Sequence, residues 1–147
     1  MKKIMLLVLC VGILVAAVYY IGGHVSNSIE NSKALGDLER AEKAQFNYQN
    51  KKGRFTDNMN TLFRTPCSPT PGSGPWKAYP TVQLDIVSVD GDDSLLEMEA
   101  FSTEGNKLYR MTIWTLSDIE YSETDIDFDK RGYVIEVSKE RKVPGKK

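Results

Sequence analysis

The apolar run from Ile4 to Gly23, flanked by Lys2 and Lys3, constrains this chain more than any other stretch. About 20 residues at 1.5 Å each make a helix of roughly 30 Å, the thickness of a bilayer core. A helix satisfies its own backbone polar groups in lipid, so a run of this length and composition predicts a membrane-spanning helix. The lysines hold the first end in the cytoplasm and put Ser26 onward on the far side. Tyr19 and Tyr20 lie near the far end, where amphipathic rings suit the interface. His24 follows at the boundary, as an interfacial residue rather than a ligand. A cleaved signal peptide is the competing expectation. Ile4 to Leu14 would be its apolar region and Val15-Ala16-Ala17 its cleavage site. The apolar character continues through Val18, Tyr19, Tyr20 and Ile21, which favours an anchor. Either way the remainder is exported, and the paired lysines suit a bacterial protein.

Past Ser26, Asn27 and Ser28 the pattern becomes amphipathic. Steps of three and four place Leu35, Leu38, Ala41, Gln45 and Tyr48 on one stripe. Lys33, Asp37, Arg40, Lys43 and Gln49 fall on the other, polar face. Gly36 marks a place where the helix is free to bend. Such a stripe has to cover something. The helix should stop at Lys51 to Gly53, with Gly53 as a left-handed cap and two lysines at the negative helix end. A short helical turn capped by Thr56 or Asp57 should follow, bringing Phe55 and Leu62 back onto the long helix.

The phrase closing this helix resembles the corresponding segment of type IV pilins and type II secretion pseudopilins. The elements that carry the resemblance are Ala44-Gln45, Tyr48, Gly53-Arg54-Phe55 and Leu62. The layout is also similar: apolar amino-terminal run, amphipathic helix, irregular loop, antiparallel sheet. The chain departs from the family's leader pattern. No glycine–aromatic junction opens the apolar run, and no acidic residue lies within it. The resemblance implies a helix that packs laterally in an assembly and a sheet that faces outward.

Residues 65–75 form a Pro/Gly/Ser loop holding Cys67, with Trp76 and Tyr79 expected to pack it down. Cys10 lies in the apolar run, so the two cysteines should not meet. Cys67 is either incidental or available to another chain. Strand alternation follows in Val82/Leu84/Ile86, Leu96/Met98/Ala100, Tyr109/Met111/Ile113, Ile119/Tyr121, Ile126/Phe128 and Tyr133/Ile135/Val137. Asp90-Gly91, Glu104-Gly105-Asn106 and Lys130-Arg131-Gly132 mark turns. These segments predict a meander of four or five antiparallel strands, apolar on one face and acidic on the other. The helix stripe is the lid for the apolar face.

The net charge of -1 excludes the strongly basic class of nucleic-acid proteins. Acids dominate from Asp85 to Asp129, and bases dominate from Lys130 to Lys147. Two readings are open: a solvated acidic face with a ragged basic tail, or a contact between the acidic face of one subunit and the tail of another. Asp125, Asp127 and Asp129 have the spacing that opens a calcium loop, but Lys130 stands where such a loop needs glycine. Asp90, Asp92 and Asp93 read as an ordinary acidic turn. The chain has no Gly-x-Ser-x-Gly, P-loop or His/Cys cluster, so no catalytic, cofactor-binding or metal residue is assigned and an enzyme is not expected.

The sequence therefore predicts an α+β protein: a long amino-terminal helix on a four- to five-stranded antiparallel sheet, in a pilin-like roll. Its segments are the anchor or signal peptide (1–23), the amphipathic helix and helical turn (24–62), the loop (63–80), the sheet (81–138) and a basic tail (139–147). The expected function is a structural or interaction subunit of a bacterial type IV pilus-like or type II secretion-like assembly. It would be anchored in the inner membrane by its single helix, with the sheet on the periplasmic side, and would meet protein partners or copies of itself. The alternative is an exported, monomeric binding module of the same fold, anchored or secreted.

Overall fold

The computed structural model describes residues 2–68, 79–90 and 95–144, with side chains of the first helix described from residue 8. That helix, α1, runs unbroken through Lys2–Lys52, so neither Ser26–Ser28 nor Gly36 interrupts it. It ends as its sequence dictates. Lys51 and Lys52 occupy the last turn, and Gly53 adopts φ 76°, donating its N–H to the Gln49 carbonyl at 2.7 Å. A side chain there would strain the left-handed backbone.

The second helix, α2, spans Met59–Arg64. Its cap is Asn58, one residue beyond the expected Thr56 or Asp57. Asn58 Oδ1 accepts the Thr61 N–H at 3.1 Å, while Thr56 Oγ1 accepts the Asn58 N–H at 3.1 Å. Thr56 thus shapes the approach, and Asn58 satisfies the helix end.

The strands are β1 (Val82–Val89), β2 (Leu96–Ser102), β3 (Lys107–Thr115), β4 (Asp118–Phe128) and β5 (Val134–Glu136), paired antiparallel in sequence order. A two-residue strand, β6 (Arg141–Lys142), pairs with β4 at Ser122 and Glu123. The α+β helix-on-sheet architecture is the one its hydropathy pattern predicts. The stretches around Ile119 and Ile126 belong to one continuous strand. The basic tail contributes β6 instead of hanging free.

The core lies between α1 and the inner face of β1–β3. Ala34, Leu38 and Ala41 of α1 meet Leu96, Met98, Ala100, Met111 and Ile113, all fully buried. Three alanines at 34, 41 and 44 leave no bulk beyond Cβ, so the helix seats directly on the sheet. Burying one leucine such as Leu38 contributes about 1.5–3 kcal/mol. The alternating apolar residues in and beside β5 are different: Tyr133, Ile135 and Val137 are 68, 49 and 63% exposed. Alternation puts them on one face, but β5 pairs with the far end of β4, where α1 does not reach.

The Pro/Gly segment 69–78 with Trp76, the turn residues Gly91, Asp92 and Asp93, and the last three residues lie outside the described residues. On the near side of the first hairpin, the Asp90 N–H donates to the Leu95 carbonyl at 2.9 Å.

Candidate functional site

Two surfaces of α1 carry the functional argument. The first is its free half. From Val8 to Ile29 the large apolar side chains stand clear of the rest of the protein. Val8, Leu14, Val18 and Ile21 are each 61–68% exposed, and Val25 and Ile29 are 53% exposed. No part of this stretch packs inside the molecule, and the helix is long and apolar enough to cross a membrane. Cys10 is exposed on it, and His24 packs edge-on against Tyr20 with ring centroids 4.6 Å apart.

The second is the joint that fixes α1 to the sheet, and it is built from buried polar side chains. Glu30, 6% exposed, accepts hydrogen bonds from Ser102 Oγ at 2.7 Å and Thr81 Oγ1 at 2.9 Å and pairs with Lys33. The Lys33 hydrogen bond first, then Ser102 and Thr81, hold its carboxyl down to about 2. At the next residue, Asn31 Oδ1 accepts the backbone N–H groups of Asn106 and Lys107 at 3.0 and 3.1 Å. Its Nδ2 donates to Asn106 Oδ1 at 2.7 Å. A Cβ at Gly105 would lie 2.5 Å from Asn31 Oδ1, so a side chain there would push that amide off its partners.

Asp37 corrects the expectation that placed it on the polar face. It is fully buried, taking the Tyr79 N–H at 2.9 Å and pairing with Arg40 at 2.6 Å. The Lys33 and Arg40 cations lie 5.8 and 5.5 Å from the Tyr79 ring centre. A helical period marks Asp37 as a neighbour of Leu38 but says nothing of a backbone N–H arriving from 42 residues away. Such a donor is what makes a buried carboxylate tolerable.

Gln45 closes the far end. Its Oε1 accepts the Thr56 N–H at 3.0 Å and its Nε2 donates to the Thr56 carbonyl at 2.9 Å, a two-point clamp on the returning chain. Phe55 packs edge-on against Phe46 at 5.8 Å, and Leu62 is fully buried. The residues that carry the family resemblance thus form one unit: helix end, clamp, turn and the chain folded back.

A groove of about 610 Å³ runs between α1 and β4, lined by Leu35, Glu42, Ile119, Tyr121 and Val143 among others. Tyr121 donates its hydroxyl to Glu42, and burial, then that bond, pushes its phenol above the ordinary range.

Five acids of the outer strands are paired within the chain. Arg110 pairs with Glu97, Glu99 and Glu140; Lys107 and Arg141 both pair with Glu123 and Asp125; Lys142 pairs with Glu120. Of the basic tail, Arg141 and Lys142 lie on acids of their own chain. Asp125 is held well below the carboxylate range by Arg141 first and then Lys107. Asp127 accepts the Phe128 N–H, and Asp129 accepts those of Arg131 and Tyr133, so the three acids serve strand and turn. Cys67 is half-buried after α2, and both cysteines are free thiols. Among the described residues no three His, Cys, Asp or Glu side chains converge as a metal site.

Compared with protein-family models the chain matches none, and comparison with curated proteins gives no significant match.

Proposed function

We propose that this protein is a pilin- or pseudopilin-like subunit of a bacterial type IV pilus-like or type II secretion-like assembly. It is held in the inner membrane by the first half of α1, with its sheet on the periplasmic side. The carrying observation is that one helix does two jobs. Among the described residues its apolar side chains from Val8 to Ile29 stand exposed, while its second half is locked into the sheet by Glu30, Asn31, Asp37 and Gln45. A rigid joint of this kind transmits position from a helix bundle to the domain outside it. The Ala44-Gln45 to Leu62 resemblance supports the same reading.

The test is membrane fractionation with intact mass, followed by cross-linking through Cys10, which is exposed on the free half. The expected result is a full-length chain in the membrane fraction and, in a Cys67→Ser background, a dimer joined Cys10 to Cys10 by a bis-maleimide. A soluble chain starting near Val18 would overturn the anchor. Cross-links confined to monomer would overturn the assembly and leave a singly anchored binding module.

A further inference from the structure

The face of the sheet turned away from α1 carries a cleft of about 370 Å³ that neither the joint nor the anchor uses. Strand pairing builds its floor. Glu97, Thr112 and Glu120 lie side by side across β2, β3 and β4, and Glu99, Arg110 and Ser122 form the next row. Met98, Met111 and Ile113 alternate with them toward the core, so both rows lie on the outer face. The cleft exists because Thr112 and Ser122 are short among long neighbours. Along β3, Arg110 and Trp114 flank Thr112. The β3–β4 ladder shifts register between Ile113 and Thr115, so Trp114 sits on an irregularity of the kind that re-aims a side chain. Its side chain is 52% exposed.

The chemistry of the cleft narrows what it can hold. Arg110 pairs with Glu97 and Glu140, and Lys142 pairs with Glu120. Lys142 first, with the Trp114 indole N–H also contributing, holds the Glu120 carboxyl below its ordinary value. An anion would meet two cations already engaged and a small excess of carboxylates. A cation would find each lining carboxylate already paired. An apolar molecule would strip water from these polar groups and give nothing back. What fits is a neutral molecule that both donates and accepts. The carboxylates accept, the guanidinium and ammonium donate, and the Thr112 hydroxyl does both. Beside them the indole offers an apolar plane. A pyranose carries the matching pair of surfaces, with C–H groups on a ring face and hydroxyls around its rim.

We propose that this cleft binds a neutral sugar, with one pyranose ring stacked on Trp114 and its hydroxyls on Thr112, Arg110 and Glu120. The ion pairs hold the polar side chains in place before the sugar arrives, which lowers the cost of ordering them. The cleft lies on the face opposite α1, so the helix does not block it. It shares no residue with the free half of α1 or with the joint, so sugar binding and assembly stand or fall separately.

The test uses the full chain in lauryldimethylamine oxide micelles, which carry no sugar headgroup. The chain has two tryptophans, so Trp76→Phe leaves Trp114 as the sole indole. Chitotetraose, an acetylated amino-sugar strand, and maltotetraose, a plain glucan, are titrated separately. The expected result is a saturable change in Trp114 emission with at least one of them. Saturation-transfer NMR with the same sugar should show binding kept in Trp114→Phe, weakened at least about tenfold in Trp114→Ala, and lost in Thr112→Leu, which fills the floor. Leu116→Ala, an exposed apolar control outside the cleft, should bind as the parent does. Melting temperatures of the Trp114 variants close to the parent's separate lost binding from lost folding. A response to chitotetraose alone assigns the site to amino-sugar glycans, one to maltotetraose alone to unsubstituted hexose chains, and one to both to the pyranose ring itself. No saturable response to either sugar up to about 20 mM overturns the proposal. Binding that persists unweakened in a folded Trp114→Ala overturns it as well.

Discussion

Residues 8–25 and 30–48 of α1 share one hydrogen-bonded backbone and face opposite demands. Leu14 in the first part is 64% exposed, and Leu38 in the second is fully buried. The first part has apolar groups on every side and no tertiary partner. The second spends its buried face on three alanines, one leucine and four polar side chains. A helix that is apolar all round needs lipid or other helices, whereas one that buries acids and amides needs an exact set of donors and acceptors. The difference teaches that hydrophobicity marks where this helix goes, while buried polarity marks how it is held.

The sharpest way to break that contrast is to truncate equivalent apolar residues in the two parts. Leu38→Ala should cost about 2–5 kcal/mol in denaturant unfolding of the detergent-solubilised chain. Val15→Ala should leave the same transition unmoved. Equal losses would mean that the free half packs on the domain after all.

The polar joint comes next. Gln45→Ala leaves the Thr56 N–H and carbonyl without partners and should cost about 1–3 kcal/mol. Asn31→Ala, which strands the N–H groups of Asn106 and Lys107, should fall in the same range. Amide exchange would localise the first loss to residues 53–58 and the second to the turn between β2 and β3.

Glu30 sharpens the comparison through pH. Its folded pKa is lowered from 4.5 to about 2. Its contribution is therefore fully present above 4.5 and is lost as pH falls toward 2. Between pH 6 and pH 2.5 the wild type should lose more melting temperature than Glu30→Gln. Parallel curves for the two proteins would remove the charged form of Glu30 from the joint.

The smallest effect belongs to the outer face. Lys142→Ala breaks an exposed pair with Glu120 and should lower the melting temperature less than either joint variant, and less still at high salt.

Much of the architecture was legible because it rests on period. Leu38 and Ala41 fell on the helical stripe, and Leu96, Met98 and Ala100 alternated toward the core. Gly53 marked the helix end by its lack of a side chain. The joint was hidden because polar residues at buried positions look like surface residues until their partners are known. Asp37 sat in register with Lys33 and Arg40 and read as a solvated acid. Tyr133, Ile135 and Val137 failed in the other direction: alternation gave them a common face but not the face of the sheet that α1 covers.

The sequence by itself determined a helix able to span a bilayer, the amphipathic stripe that continues it and the alternating strands it covers. These follow from local spacing, since neighbours three, four or two apart share a face whatever else the chain does. The tertiary structure alone decided that Glu30, Asn31 and Asp37 turn inward and that Arg141 and Lys142 pair with β4. Each of these depends on a donor, a cation or a strand edge brought in from far along the chain, and no local period records what will arrive there.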